Sequence, residues 1–196
     1  MVRVPPLPPE VPQFRSRWRE YLGRAGLALL GWRIEGQMPR LRHFVLIVAP
    51  HTSNWDFVVG LFTYFALRLD ASWLAKHTAL RGPWGRVGRY LGGIPVDRSQ
   101  PGQVVDTCVA EFARRAGLVL AIAPEGTRKR VTEWKRGFHR IARAANVPIV
   151  PVALDFPARC VRIGPPLTTS EDYAADVAEL RRYFRAEMAR YPAQYG

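Results

Sequence analysis

The chain alternates between short, nearly continuous apolar runs and segments whose apolar residues recur every three or four positions. The runs at 43–49 and 118–123 are typical of strands buried on both faces of a sheet. The recurring pattern predicts helices at 55–69, 105–116 and 134–145, and a last helix from Ser170. A glycine-rich stretch, 81–93, predicts a loop holding at most a short helix. Shorter strands are predicted at 32–35, 72–75, 94–96, 148–154 and 159–163.

This order of strands and helices predicts an α/β fold: a single domain with a mostly parallel central sheet flanked by helices. The predicted organisation is a proline-rich lead-in at 1–10, an amphipathic N-terminal helix at 11–31 and an α/β domain at 32–196. Ligands of such sheets gather at the carboxyl ends of the strands. Polar clusters after the strands at 43–49 and 118–123 are therefore the first candidates for a site.

The N-terminal helix has an apolar side and four arginines around it. Aromatic and basic residues on an amphipathic helix are typical of a segment that lies in the headgroup region of a membrane. Packing of the same side on the domain core is the alternative, and the sequence favours neither. The predicted apolar face comprises Val11, Phe14, Trp18, Leu22, Ala25 and Leu29.

Charge narrows the class of partner. The 196 residues carry a formal net charge of +13, which predicts nucleic acid, an anionic membrane surface or a phosphorylated substrate. The longest apolar segment, 57–67, is shorter than the roughly 20 residues that span a bilayer. Two cysteines outside any metal-ligand pattern and the lack of a signal peptide predict a cytoplasmic protein. The cysteines, Cys108 and Cys160, are expected to be buried thiols.

The stretch HTSNWD places His51 and Asp56 just beyond the first buried strand. A carboxylate on one imidazole nitrogen leaves the other nitrogen as a base, as in the serine-protease triad but without its serine. The alternative is that Asp56 or Asn54 caps the next helix, and the two roles are compatible. Ser53 lacks the surroundings of a nucleophile and is expected to bond loop backbone.

Two further clusters carry cations. The first cluster follows the strand at 118–123 and comprises Glu125, Gly126, Thr127 and Arg128. Gly126 permits a sharp turn, and the guanidinium of Arg128 suits a phosphate. Arg98 ends the stretch GGIPVDR after a short strand. Either cluster alone would also be expected of an ordinary basic turn without a function.

Taken together, HTSNWD, GGIPVDR, PEGTR and VPIVPV, in this order and spacing, resemble the four blocks of the glycerolipid acyltransferase family. WKRGFHRIA at 134–142 resembles the K-x-G stretch of the same family. The resemblance covers roughly residues 43–155. It departs from the family pattern at Pro50, Pro95, Ala123 and Lys129, which points to a branch distinct from the standard phosphatidic-acid-forming enzymes.

The resemblance implies a role for each block. His51 would be the base that deprotonates the acceptor hydroxyl, and Asp56 its orienting carboxylate. Arg98 would bind the acceptor phosphate, and residues 125–128 would bind the acceptor. The acyl donor would be acyl-CoA or acyl carrier protein and the acceptor a lysophospholipid or glycerol-phosphate-type lipid, with no metal or other cofactor.

The predicted protein is thus an O-acyltransferase, peripheral at the inner face of the cell membrane and bound to its anionic surface. Backbone amides at the start of the helix after His51 are candidate donors to the reaction's oxyanion. A lipid transacylase or thioester hydrolase using the same pair is the alternative. A basic nucleic-acid-binding module is a more distant one, because no known nucleic-acid-binding motif is present.

Overall fold

The computed structural model describes residues 3–97 and 99–196, and within these ranges seven strands form one sheet. The sheet order is β1-β7-β6-β2-β5-β3-β4, and every neighbouring pair is parallel except β6 and β7. The predicted α/β fold is confirmed. The strands are β1 (Arg33–Glu35), β2 (His43–Ala49), β3 (Ala71–Lys76), β4 (Gly93–Val96), β5 (Leu118–Ile122), β6 (Ile149–Asp155) and β7 (Cys160–Ile163).

Helices cover both faces of the sheet. The six α-helices of the described residues are α1 (Arg17–Leu30), α2 (Asn54–Leu67), α3 (Gly82–Tyr90), α4 (Pro101–Arg114), α5 (Gly137–Ala144) and α6 (Tyr173–Arg181). Short 3-10 turns lie at His77–Leu80, Ala186–Met188 and Pro192–Gln194.

Strand β2 shows why its sequence is apolar throughout. Successive side chains of a strand point to opposite faces. Phe44 and Leu46 enter the core on the α1–α2 side, whereas Val45 and Ile47 enter the core under α4 and α5. Because β2 lies between β5 and β6, both of its faces are covered, and the strand ends at a fixed position in the sheet centre.

The N-terminal helix packs through a face other than the apolar one. Gly23 and Gly26 meet α2 so closely that a Cβ on Gly23 would lie 2.3 Å from the Ala66 nitrogen. Leu27 is buried beside them, whereas Trp18 is 62% exposed and Leu29 89% exposed. Of the two alternatives that the sequence left open, packing of the predicted apolar face on the core therefore holds for Val11 but not for Trp18, Leu22 or Leu29. The face that remains uncovered comprises Trp18, Tyr21, Leu22, Ala25, Ala28 and Leu29.

The glycine-rich stretch at 81–93 is more ordered than its composition suggests. It holds the nine-residue α3, with Pro83 in the first turn. A backbone N–H at that position has no partner within the helix, so proline removes no hydrogen bond there. The two cysteines, Cys108 and Cys160, are free and buried, as predicted.

Candidate active site

The polar clusters that follow β2 and β5 meet at one edge of the sheet. The two strands pair in parallel, with Ile47 opposite Ile122. His51 and Glu125 therefore emerge side by side, although 74 residues separate them in the chain. The sheet centre fixes the start of both loops, which is where an α/β fold holds its ligands.

His51 and Asp56 are in contact. The Nδ1 atom of His51 lies 3.2 Å from Oδ2 of Asp56, whose side chain is only 2% exposed. The same Oδ2 accepts hydrogen bonds of 2.7 Å from the backbone N–H groups of Thr52 and Ser53. Ser53 in turn caps α2, and its Oγ accepts from the Trp55 N–H at 3.1 Å. Asp56 thus closes a capping box and also contacts the imidazole.

Glu125 supports His51 from the other side. Its Oε2 accepts a 2.7 Å hydrogen bond from the His51 backbone N–H. Burial raises the pKa of Glu125 to about 7, and the negative charge of Asp56 adds to this, whereas the His51 hydrogen bond and Arg181 oppose it. The sequence predicted Glu125 as a substrate-binding residue. The carboxylate is instead turned into the protein, where it holds the backbone of the neighbouring block.

The rest of the PEGTR turn faces a cavity of about 1230 Å³. Gly126 has φ +67°, a conformation that favours glycine, and a Cβ there would lie 2.9 Å from Nζ of Lys135. Thr127, Arg128 and Lys135 line the cavity with His51. Among the described residues, neither Arg128 nor Lys135 has an acidic partner within ion-pair distance. Within the part of the chain that the structure describes, Arg128 and Lys135 therefore remain available to bind an anion.

The cavity has a polar mouth and an apolar body. Phe57 and Leu61 of α2 line it, together with apolar residues from both faces of the sheet. Cavities with apolar walls and a few convergent polar groups are typical of sites for small molecules with a hydrocarbon part. The apolar wall includes Leu46, Val48, Leu74, Val96, Val152 and Leu154.

Arg98 lies outside the described residues, so its predicted contact with a phosphate stays a prediction. Lys135 was not among the predicted site residues, because the residue stands ten positions after Glu125 and reaches the turn only through the loop before α5. The K-x-G resemblance at 134–142 was the signal that pointed to it.

The described residues contain no group of three His, Cys, Asp or Glu side chains placed to hold a metal ion. They also contain no helix of the length and apolar character that crossing a membrane requires.

Comparison with known proteins bears on this arrangement. A family model described as Acyltransferase matches residues 32–155, which include every block of the site. The fold is similar to the crystal structure of the 1-acyl-sn-glycerophosphate (LPA) acyltransferase PlsC from Thermotoga maritima, with a TM-score of 0.62. The two sequences are 20% identical, over 85% of this chain and 73% of that chain. No curated protein matches.

Proposed function

Because the chain belongs to the acyltransferase family, we propose that it moves a fatty acyl group from a thioester to a hydroxyl of a lipid acceptor. The donor is acyl-CoA or acyl carrier protein, and the acceptor is a lysophospholipid or glycerol-phosphate-type lipid. The observation that carries the proposal is the 3.2 Å contact between His51 Nδ1 and Asp56 Oδ2 at the wall of a cavity with an apolar body.

His51 acts as a general base in this reaction. With Nδ1 held by Asp56, the Nε2 atom takes the proton of the acceptor hydroxyl while its oxygen attacks the thioester carbonyl. The tetrahedral intermediate then expels the thiolate, which receives the proton from the imidazolium. General base catalysis of this kind contributes about 10²–10⁴-fold. Asp56 fixes the tautomer and stabilises the imidazolium without taking its proton.

The oxyanion of that intermediate needs hydrogen-bond donors. Three of the amides near the start of α2 are occupied: Thr52 and Ser53 donate to Asp56, and Trp55 donates to the Ser53 hydroxyl. Thr127 carries a neutral hydroxyl donor in the lining of the cavity. Thr127 Oγ1 accepts from the Lys129 N–H at 3.3 Å, so its own hydrogen remains free to donate. We assign the oxyanion to this hydroxyl.

The acceptor phosphate binds at the same mouth. Arg128 offers a planar fork that suits a phosphate, and Lys135, whose side chain lies next to Gly126, adds a second positive charge. Arg98 is the third predicted ligand, by the family resemblance alone. The hydrocarbon chains of the substrates occupy the apolar body of the cavity.

Access to a lipid acceptor is provided by the N-terminal helix. Its exposed apolar face, with Trp18, Leu22 and Leu29, is flanked by the exposed cations Arg15 and Arg17. Such a face enters the headgroup region, and each Arg near an anionic surface adds about 1 kcal/mol. Phe57 is also exposed and lines the cavity. The protein is therefore proposed to lie on the anionic inner face of the cell membrane.

The test is product identification by mass spectrometry. Purified protein is incubated with acyl-CoA or acyl carrier protein and a panel of lysolipids, monoacylglycerol and glycerol 3-phosphate. An acylated acceptor whose formation matches thioester consumption supports the proposal. Free fatty acid without acylated lipid would show a thioester hydrolase, and acyl exchange between lipids without thioester would show a transacylase.

A further inference from the structure

Residues 189–196 lie against both halves of the active site. The backbone N–H of Tyr191 donates to Thr52 Oγ1 at 3.3 Å. With its amide oriented to donate, the Gln194 nitrogen lies 2.8 Å from the Thr52 carbonyl oxygen and 3.0 Å from the Arg128 carbonyl oxygen. One side chain therefore bridges the loop after β2 and the turn after β5.

Hydrogen bonds hold Thr52 through its N–H, its hydroxyl and its carbonyl group. It follows His51 directly, it is 3% exposed, and its N–H donates to Asp56. Its hydroxyl accepts from Tyr191 and its carbonyl accepts from Gln194. Since Arg128 is the proposed phosphate ligand, the second bond of Gln194 ties the backbone of that ligand to the backbone next to the catalytic base.

The segment that carries Gln194 is itself fixed in place. The guanidinium of Arg181 donates to the Gly196 carbonyl at 3.2 Å and lies over the ring of Trp134 at 5.1 Å. At the other end, the Met188 carbonyl accepts from the Phe156 N–H at 2.8 Å, and Arg190 lies over the ring of Trp55 at 5.1 Å. Gln194 thus reaches the two carbonyls from an anchored backbone.

We propose that Gln194 is a positioning residue, which sets the separation between the His51–Asp56 pair and the acceptor-binding turn. The inference rests on the proposed function of those two groups. Glu125 joins the same two loops from inside the protein, through the His51 N–H. Gln194 joins them from the surface, so that the reacting hydroxyl and the phosphate that anchors it are held at a constant distance.

The test compares three variants with the full wild-type chain. Gln194→Met keeps the side-chain length and removes the donors. Gln194→Lys restores hydrogen-bond donors at the end of the side chain. Gln37→Met is the matched control, because Gln37 is exposed and does not line the cavity. The measurements are kcat, KM for acyl-CoA, Tm, and hydrogen exchange at the amides of 51–53 and 126–131.

A displacement of about 1 Å can reduce turnover by about 100-fold, so Gln194→Met is expected to lower kcat about 10- to 100-fold. The KM for acyl-CoA and the Tm of Gln194→Met are expected to match those of Gln37→Met, whereas hydrogen exchange in both loops should be faster. Gln194→Lys should recover most of the wild-type kcat.

A Gln194→Met enzyme with the kcat of Gln37→Met would overturn the inference. So would a Gln194→Lys enzyme as slow as Gln194→Met, or a lowered Tm that accounts for the loss of turnover. If the wild type transfers no acyl group, the proposed function fails, and unchanged exchange in Gln194→Met would separately overturn the bridge.

Discussion

The backbone N–H of His51 donates a 2.7 Å hydrogen bond to Oε2 of Glu125, a residue 74 positions away in the chain. The bond joins the two loops that carry the candidate active site. It also gives the imidazole support on both sides, since Asp56 contacts the ring and Glu125 holds the backbone. A buried carboxyl in this position makes the stability of the protein depend on pH.

Glu125 makes the stability of the protein depend on pH. Its pKa is raised to about 7 in the folded protein, mainly by burial, and would be near 4.5 in the unfolded chain. The stabilising contribution of this group is therefore fully present below pH 4.5 and is lost as the pH rises through 7. Glu125→Gln removes this loss and keeps an oxygen that accepts from His51. Relative to wild type, the variant should gain roughly 3 kcal/mol of unfolding free energy between pH 4 and pH 8.

Urea unfolding followed by tryptophan fluorescence at each pH measures that difference. Glu187→Gln, at an exposed position outside the site, serves as the control and should show no such trend. A difference between Glu125→Gln and wild type that stays constant from pH 4 to pH 8 would show that the Glu125 pKa is not raised.

Asp56→Asn should lower kcat by about 10³–10⁴-fold, because an amide neither fixes the imidazole tautomer nor stabilises the imidazolium. The Asn oxygen can still accept from the Thr52 and Ser53 amides, so α2 should keep its start. Steady-state kinetics and far-UV circular dichroism test this, with the exposed Asp70→Asn as control. Turnover within a few-fold of that control would leave Asp56 only its helix-capping role.

The proposed phosphate ligands can be tested by comparing a charged with an uncharged acceptor. Arg128→Gln and Lys135→Gln should each raise KM for a lysophospholipid about 10- to 100-fold, the range for a lost hydrogen bond to a charged group, with little change for uncharged monoacylglycerol. Arg130→Gln is the matched control, because Arg130 is exposed near the same turn but does not line the cavity. An equal increase for both acceptors would make these residues structural. Arg98→Ala belongs to the same series and should weaken the acceptor far more than the acyl donor.

The uncovered face of α1 is tested by vesicle binding. A triple variant, with Trp18, Leu22 and Leu29 each changed to Ser, should keep the wild-type Tm because all three side chains are exposed. Partial insertion of such a side chain is worth about 1 kcal/mol, so binding to anionic vesicles should weaken about 100-fold. Co-sedimentation with anionic and neutral vesicles at low and high salt measures this, with Val87→Ser as control. Unchanged binding by the triple variant would place the membrane contact elsewhere.

The position of the candidate site could be predicted from the sequence for a physical reason. Strands β2 and β5 are buried on both faces, which makes their apolar runs continuous and their ends easy to locate. The contact between His51 and Asp56 is local, so five residues of spacing were enough to predict it. The order of the four blocks then indicated the family, and the match over 32–155 confirms the resemblance at that level.

Other features depend on contacts that spacing does not encode. The apolar pattern of α1 left membrane contact and packing on the core both open, and the helix in fact packs through Gly23 and Gly26, whose small size allows close approach to α2. In α3 the glycines serve a similar purpose, since a Cβ on Gly85 would lie 2.1 Å from the Leu80 backbone. Glu125 is turned towards His51 by a hydrogen bond between residues far apart in the chain. Gln194 likewise contacts two loops that are distant from it in the sequence.

The central claim is that His51 is the base of an acyl transfer, and one comparison tests it most directly: the initial rate of acylated lipid formation by His51→Ala and by His77→Ala. Both variants remove one imidazole, but only His51 lines the cavity. With equal circular dichroism spectra, the account predicts that His77→Ala works at nearly the wild-type rate. His51→Ala should be slower by about 10²–10⁴-fold or more, the share of a general base. A His51→Ala enzyme that forms acylated lipid as fast as His77→Ala would contradict the assignment.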